Sequence, residues 1–79
     1  MDKKVYNSIV SGNKDNSISF SDFQNLIIDL GFVFKRQSGS HLIYYNVKIK
    51  ERLNIQRDGN KAKGYQVNQL RIIILKHGL

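Results

Sequence analysis

Apolar residues change their spacing along this chain, and each change marks an element. Over Asp2–Ser11, Val5, Tyr6 and Ile9 recur at helical intervals, and Gly12 is a residue type that ends helices. The polar run Asn13-Lys14-Asp15-Asn16-Ser17 predicts a turn. Ser19 followed three residues later by Asp22 makes a capping-box pattern, with Ile18 and Phe23 at the positions of a hydrophobic staple. A second helix therefore starts at Ser19, buries the stripe Phe20, Phe23, Leu26, Ile27 and Leu30, and ends at Gly31.

From Phe32 the period becomes two and the residues become aromatic and β-branched, as in strands. Phe32–Gln37 and His41–Asn46 predict an antiparallel hairpin closed by the tight turn Ser38-Gly39-Ser40. Leu53–Gln56 alternates apolar and polar and predicts a third strand with one wet face. Arg57–Gly64 is rich in charge and glycine and reads as a loop. Tyr65–His77 closes the chain as a helix with a stripe of Val67, Leu70, Ile73 and Ile74, stopped by Gly78.

The order is α-α-β-β-β-α, which predicts an α+β fold: a three-stranded antiparallel sheet with helices on one face and the other face open. Strand residues alternate between faces. In the register that buries Leu42, Tyr44, Leu53 and Ile55, the residues His41, Tyr45, Asn54 and Gln56 share the open face. With 79 residues and no internal repeat or linker, the chain is expected to form one domain over 1–79. Residues 1–12 read as an N-terminal helical extension and 19–79 as the core.

Composition narrows the function classes. A chain that is 41% hydrophobic and 24% charged is globular, and its apolar runs fall far short of the roughly 20 residues that a membrane crossing needs. Met1-Asp2-Lys3-Lys4 leads into an amphipathic stretch instead of a signal-peptide core, so a cytoplasmic protein is expected. The absence of cysteine removes disulfides, thiol nucleophiles and Cys-based zinc sites.

Charge is more informative. The net charge is +7, and it is unevenly placed: residues 1–30 hold three lysines against four aspartates, a balance of −1. The remainder holds ten Lys and Arg against two acids, a balance of +8. A phosphate backbone is the expected partner of that basic part, although a basic surface also serves solubility alone.

Three features bear on chemistry. Ser11 to Asp22 has the cadence of a calcium-binding EF-hand loop but lacks its turn glycine, its closing glutamate and a paired second loop, so helix capping explains Ser19 and Asp22 better. His77, in a last helical turn, suits the helix dipole and reads as structural. His41 opens a strand beside a Ser-Gly-Ser turn, with Lys35 and Arg36 on the preceding strand. An imidazole can take and give a proton near neutral pH, as cleavage of RNA by its own 2′-hydroxyl requires, and neighbouring cations would stabilise the extra phosphorane charge. An ordinary exposed strand histidine is an equal reading of the residue types. Asn60-Lys61-Ala62-Lys63-Gly64, just ahead of the last helix, reads either as a phosphate site or as a solvated loop.

Leu30-Gly31-Phe32, Arg36-Gln37-Ser38-Gly39-Ser40-His41 with Tyr44, Leu53-Asn54-Ile55-Gln56, Gly59-Asn60-Lys61-Ala62-Lys63, and Tyr65-Gln66-Val67 through Arg71 together resemble the HicA family of bacterial toxins. The likeness runs from about Phe20 to the end. It implies a fold like the double-stranded-RNA-binding domain, an mRNA-cleaving activity that blocks translation, and a HicB antitoxin as partner. His41 matches the family's catalytic histidine, and Gly39 and Ser40 match its turn. Two departures stand out: Leu42 replaces a second histidine found in many members, and Gly64 stands where relatives often carry proline, implying a more flexible start to the last helix.

The resulting expectation is an mRNA endoribonuclease in the bacterial cytoplasm, needing no cofactor or metal. His41 acts as acid/base, Lys35, Arg36, Ser40, Lys61 and Lys63 meet the RNA, and Tyr45 stacks on an unpaired base. A non-catalytic RNA-binding module of the same architecture is the alternative, and a small partner-binding protein with incidental charge is a third reading.

Overall fold

The computed structural model describes every residue, Met1–Leu79. Helix α1 spans Lys3–Ser11 and α2 spans Phe20–Asp29. Strands β1 (Val33–Ser38), β2 (His41–Asn46) and β3 (Glu51–Ile55) follow, then two short strands, β4 (Arg57–Asp58) and β5 (Lys61–Ala62), and finally α3 (Gly64–His77). The α+β class and the α-α-β-β-β-α order are as the sequence predicts, with the β4–β5 ribbon inserted where a plain loop was expected. No helix is long and apolar enough to cross a membrane.

The glycine stops and the Ser19 cap act where the sequence places them, with one exception. Asp2 caps α1 through the N–H groups of Lys4 and Val5, and Gly12 and Gly78 close α1 and α3 in the left-handed conformation. The Ser19 hydroxyl accepts from the Asp22 N–H at 3.1 Å, but Asp22 does not return a bond as a full capping box would. The segment is instead fixed from outside. Phe20 N–H donates to the Asn60 carbonyl at 2.8 Å and Ala62 N–H to that of Ile18 at 2.9 Å, so residues 18–20 run along the ribbon as a third rung.

One apolar core lies between the sheet and the helices. Phe20, Phe23, Leu26 and Ile27 of α2 and Val67, Leu70, Ile73 and Ile74 of α3 meet Tyr44, Leu53 and Ile55 of the sheet, as the stripes predict. Ile9 is fully buried in the same cluster, so α1, read from sequence as an extension, is part of the core. Phe32, expected to open the first strand, lies in that core too and the strand begins one residue later.

The sheet has the order β1-β2-β3, all antiparallel. A β-bulge at Lys35 breaks the β1–β2 register: Phe34 pairs with Tyr44, but Arg36 pairs with Ile43. In an unbroken ladder Arg36 would face Leu42 on the helix side, so the extra residue turns Arg36 to the outer face. Beyond it, Gln37 pairs with Leu42 and Ser38 with His41, leaving Gly39-Ser40 as a two-residue turn with Gly39 at φ 59°.

Two buried polar side chains hold the sheet to the helices. Asn46 donates to the Leu30 carbonyl at 3.1 Å and its carbonyl receives the Lys48 N–H at 3.1 Å. A Cβ on Gly31, whose φ is +101°, would come within 3.1 Å of that amide, so glycine is needed on both counts. Gln66 of α3 receives the Gln56 N–H at 3.1 Å and donates to the Asn54 carbonyl at 3.1 Å, clamping the end of β3 on either side of Ile55.

Candidate functional site

Strand alternation and the bulge together define the outer sheet face: Val33, Arg36 and Ser38 from β1, His41, Ile43 and Tyr45 from β2, and Arg52 and Asn54 from β3. This is the face expected from sequence to carry His41, Tyr45 and Asn54, with Arg36 brought there by the bulge. It bears no carboxylate. Ile43, central and flanked by Arg36 and Asn54, is its one buried residue.

His41 is exposed, and its Nδ1 lies 2.9 Å from Asn54 Oδ1. An amide oxygen accepts, so Nδ1 carries the proton and the lone pair of neutral imidazole sits on Nε2, which has no protein partner. Asn54 can hold this position because its carbonyl is tied to Gln66 in the core. The result is an imidazole oriented by a neighbour that is itself anchored.

A cation reaches the same end of the sheet along a short relay. Lys63 Nζ donates to Gln56 Oε1 at 2.9 Å, and Gln56 Nε2 donates to Ser40 Oγ at 2.7 Å. Ser40 is the chain neighbour of His41. The structure thus gathers His41, Ser40 and Lys63 of the expected residues, and adds Asn54 and Gln56. Arg36 shares their face, two positions from His41 by way of Ile43.

The other expected residues stand apart. Lys35 is the unpaired bulge residue, Lys61 lies on the ribbon across from Asp58, and Tyr45 is four residues, about 13 Å, along the strand from His41. The start of α3, read from sequence either as a phosphate site or as a solvated loop, carries acids as well as lysine. The recess there, about 570 Å³, is lined by the carboxylates of Asp15 and Asp58 as well as Lys63, and Lys63 turns to Gln56. A Cβ on Gly64 would collide with Asn16 Oδ1, so the glycine admits a close approach of the 13–17 turn to the helix start.

Two ion pairs account for the remaining notable charges. Arg71 grips Asp15 through two bonds of 2.9 and 2.8 Å and also donates to the Ile9 carbonyl at 2.9 Å, joining α1, the 13–17 turn and α3. This hydrogen bonding holds the Asp15 carboxyl below its ordinary range. Asp15, at the fifth position of the calcium-loop pattern, is thus engaged by an arginine. His77 Nε2 lies 2.7 Å from Glu51, whose pKa is lowered chiefly by that hydrogen bond, so His77 fastens α3 to the start of β3.

Of the residues not assigned a role from sequence, Asn54 and Gln56 are visible as the polar partners alternating with Leu53 and Ile55, whereas Arg52 lies ahead of the predicted strand, which begins earlier in the structure. Gln66 had no such signal, because a buried polar residue within a helical stripe reads as an irregularity. No known family model, curated protein or solved structure matches the chain.

Proposed function

We propose that this chain is a HicA-like toxin: an endoribonuclease with the fold of double-stranded-RNA-binding domains that cleaves mRNA in the bacterial cytoplasm and is neutralised by a HicB-like antitoxin. The family reading rests on the sequence resemblance. One observation carries the chemistry, namely an exposed His41 whose Nδ1 is engaged by Asn54 at 2.9 Å, on a sheet face without carboxylates.

In this mechanism Nε2 of His41 takes the proton of a ribose 2′-hydroxyl. The 2′ oxygen forms a bond to the adjacent phosphorus, the bond to the 5′ oxygen breaks, and that oxygen leaves and is protonated by solvent. Lys63 and Arg36 offset the charge that grows on the phosphoryl oxygens. Lys35, Lys61 and Ser40 hold flanking RNA, and Tyr45, at the far end of the face, stacks on a base.

The test is His41→Ala. Cleavage and growth arrest are expected to vanish with fold and RNA affinity retained, and wild-type products should carry 2′,3′-cyclic phosphate and 5′-hydroxyl ends. Full toxicity of the variant, or 5′-phosphate products that require added magnesium, would overturn the mechanism. A non-catalytic RNA-binding module remains the second reading, favoured by the single imidazole on the outer face and the lack of a second acid or base beside it.

A further inference from the structure

At the end of the sheet that carries His41, a recess of about 250 Å³ opens between the β1–β2 turn and the start of α2, lined by Phe20, Gln37, Ser40, Leu42 and Arg57. Phe20 and Leu42 give it an apolar floor. The Arg57 guanidinium carbon sits 4.5 Å from the centroid of the Phe20 ring, so a flexible cation is held against a rigid surface. Arg57 takes part in none of the four ion pairs of the molecule. Gln37 uses one amide N–H on the Gly39 carbonyl at 2.9 Å, which leaves its other N–H and its oxygen for a ligand.

These groups match one chemistry. An apolar floor suits a flat ring and not a phosphate, a pinned guanidinium is a surface on which a base stacks, and an amide reads a base edge through a paired donor and acceptor. The volume is below that of a drug-sized site and suits a single base. The other two recesses are larger and each is lined by carboxylate, Asp15 with Asp58 in one and Asp29 in the other. The recess opens on the helix side of the sheet, with Gln37 and Leu42, and Ser40 at the sheet end joins it to the Gln56–Lys63 relay of the site already described.

We infer that this recess is a nucleobase subsite, which takes an unpaired base of single-stranded RNA where the strand passes the sheet end that carries His41. The inference rests on the RNA reading above but does not need cleavage. Because Arg57 acts as a planar surface and not as a charge alone, Arg57→Lys and Arg57→Ala should both weaken binding, by about 5- to 150-fold for a lost stacking contact. Gln37→Ala should instead alter which base is preferred.

The experiment measures binding of the four short homopolymeric RNA oligonucleotides to the intact chain and these three variants at one salt concentration, and maps cut sites where cleavage occurs. Loss with both Arg57 variants and a changed base order with Gln37→Ala support the subsite, even if no RNA is cut. Wild-type binding by Arg57→Lys, or an unchanged base order in Gln37→Ala, overturns it. RNA cleavage that persists with unchanged site preference in all three variants also overturns the subsite while leaving the nuclease reading in place.

Discussion

Asn54 touches His41 diagonally across two strands, its Oδ1 2.9 Å from the imidazole Nδ1, while its own ladder partner is Ile43. A contact of this kind depends on the register of the sheet, because a slip of one residue would send one of the two to the core side. The orientation of the imidazole is therefore a property of the fold and not of the histidine alone.

That dependence can be measured without an activity assay. Imidazole ¹⁵N resonances of the neutral protein should report the tautomer protonated on Nδ1, and Asn54→Ala should release the ring to exchange between tautomers. Loss of one hydrogen bond predicts a fall in RNA cleavage of about 5- to 10-fold with little change in KM. A ring protonated on Nε2 in the wild-type protein would sink this assignment.

Gln66 predicts a purely structural loss. Gln66→Ala strips partners from the Gln56 N–H and the Asn54 carbonyl at the edge of the core, where each unsatisfied group costs about 1–3 kcal/mol. Chemical denaturation should show a drop of at least that size, together with altered His41 resonances, since Asn54 loses its anchor. An unchanged midpoint would contradict the clamp.

Acid should act through Asp15. Its pKa in the folded chain lies below the unfolded value because Arg71 hydrogen-bonds the carboxylate. The pair therefore stabilises the protein fully above the ordinary carboxylate range, and that contribution is lost as pH falls through the depressed value. Asp15→Asn should lower stability at neutral pH, by about 1–2 kcal/mol for a partly exposed pair, and flatten the acid limb of a melting-temperature profile. An identical acid limb in the variant would assign the loss to other carboxylates.

Ionic strength offers a test of the RNA track. Each phosphate contact on a single strand contributes roughly 0.7 to the slope of log affinity against log salt, so Lys61→Ala with Lys63→Ala should reduce the slope by about 1.4 if both lysines meet phosphates. The structure separates the two, with Lys63 bonded to Gln56 and Lys61 on the ribbon. Single variants will show whether only Lys63 contributes.

Much of this molecule is legible in its residues. The stripes of α2 and α3, the glycine stops and the span of β2 follow from spacing, and the alternation of Leu53 and Ile55 with Asn54 and Gln56 places the last two on the open face. Three features escape that reading for physical reasons. Lys35-Arg36-Gln37-Ser38 is polar throughout, so nothing marks the phase change at the bulge. The strands of the ribbon have two residues each, too few to show a period. Gln66 is buried because it completes backbone bonding on another strand, a need visible only once the chain is folded.

The bulge at Lys35 has a further effect on how copies of this chain meet. Strand β1 is an outer strand with Val33 and Phe34 exposed, the kind of border on which a second chain can add a strand and begin to aggregate. An extra residue interrupts the regular spacing of free N–H and C=O groups there, and a lysine and an arginine sit at the interruption. Deleting Lys35 would therefore do more than return Arg36 to the helix side: it would restore an even border next to two exposed apolar residues, and a protein that stays dispersed should begin to self-associate.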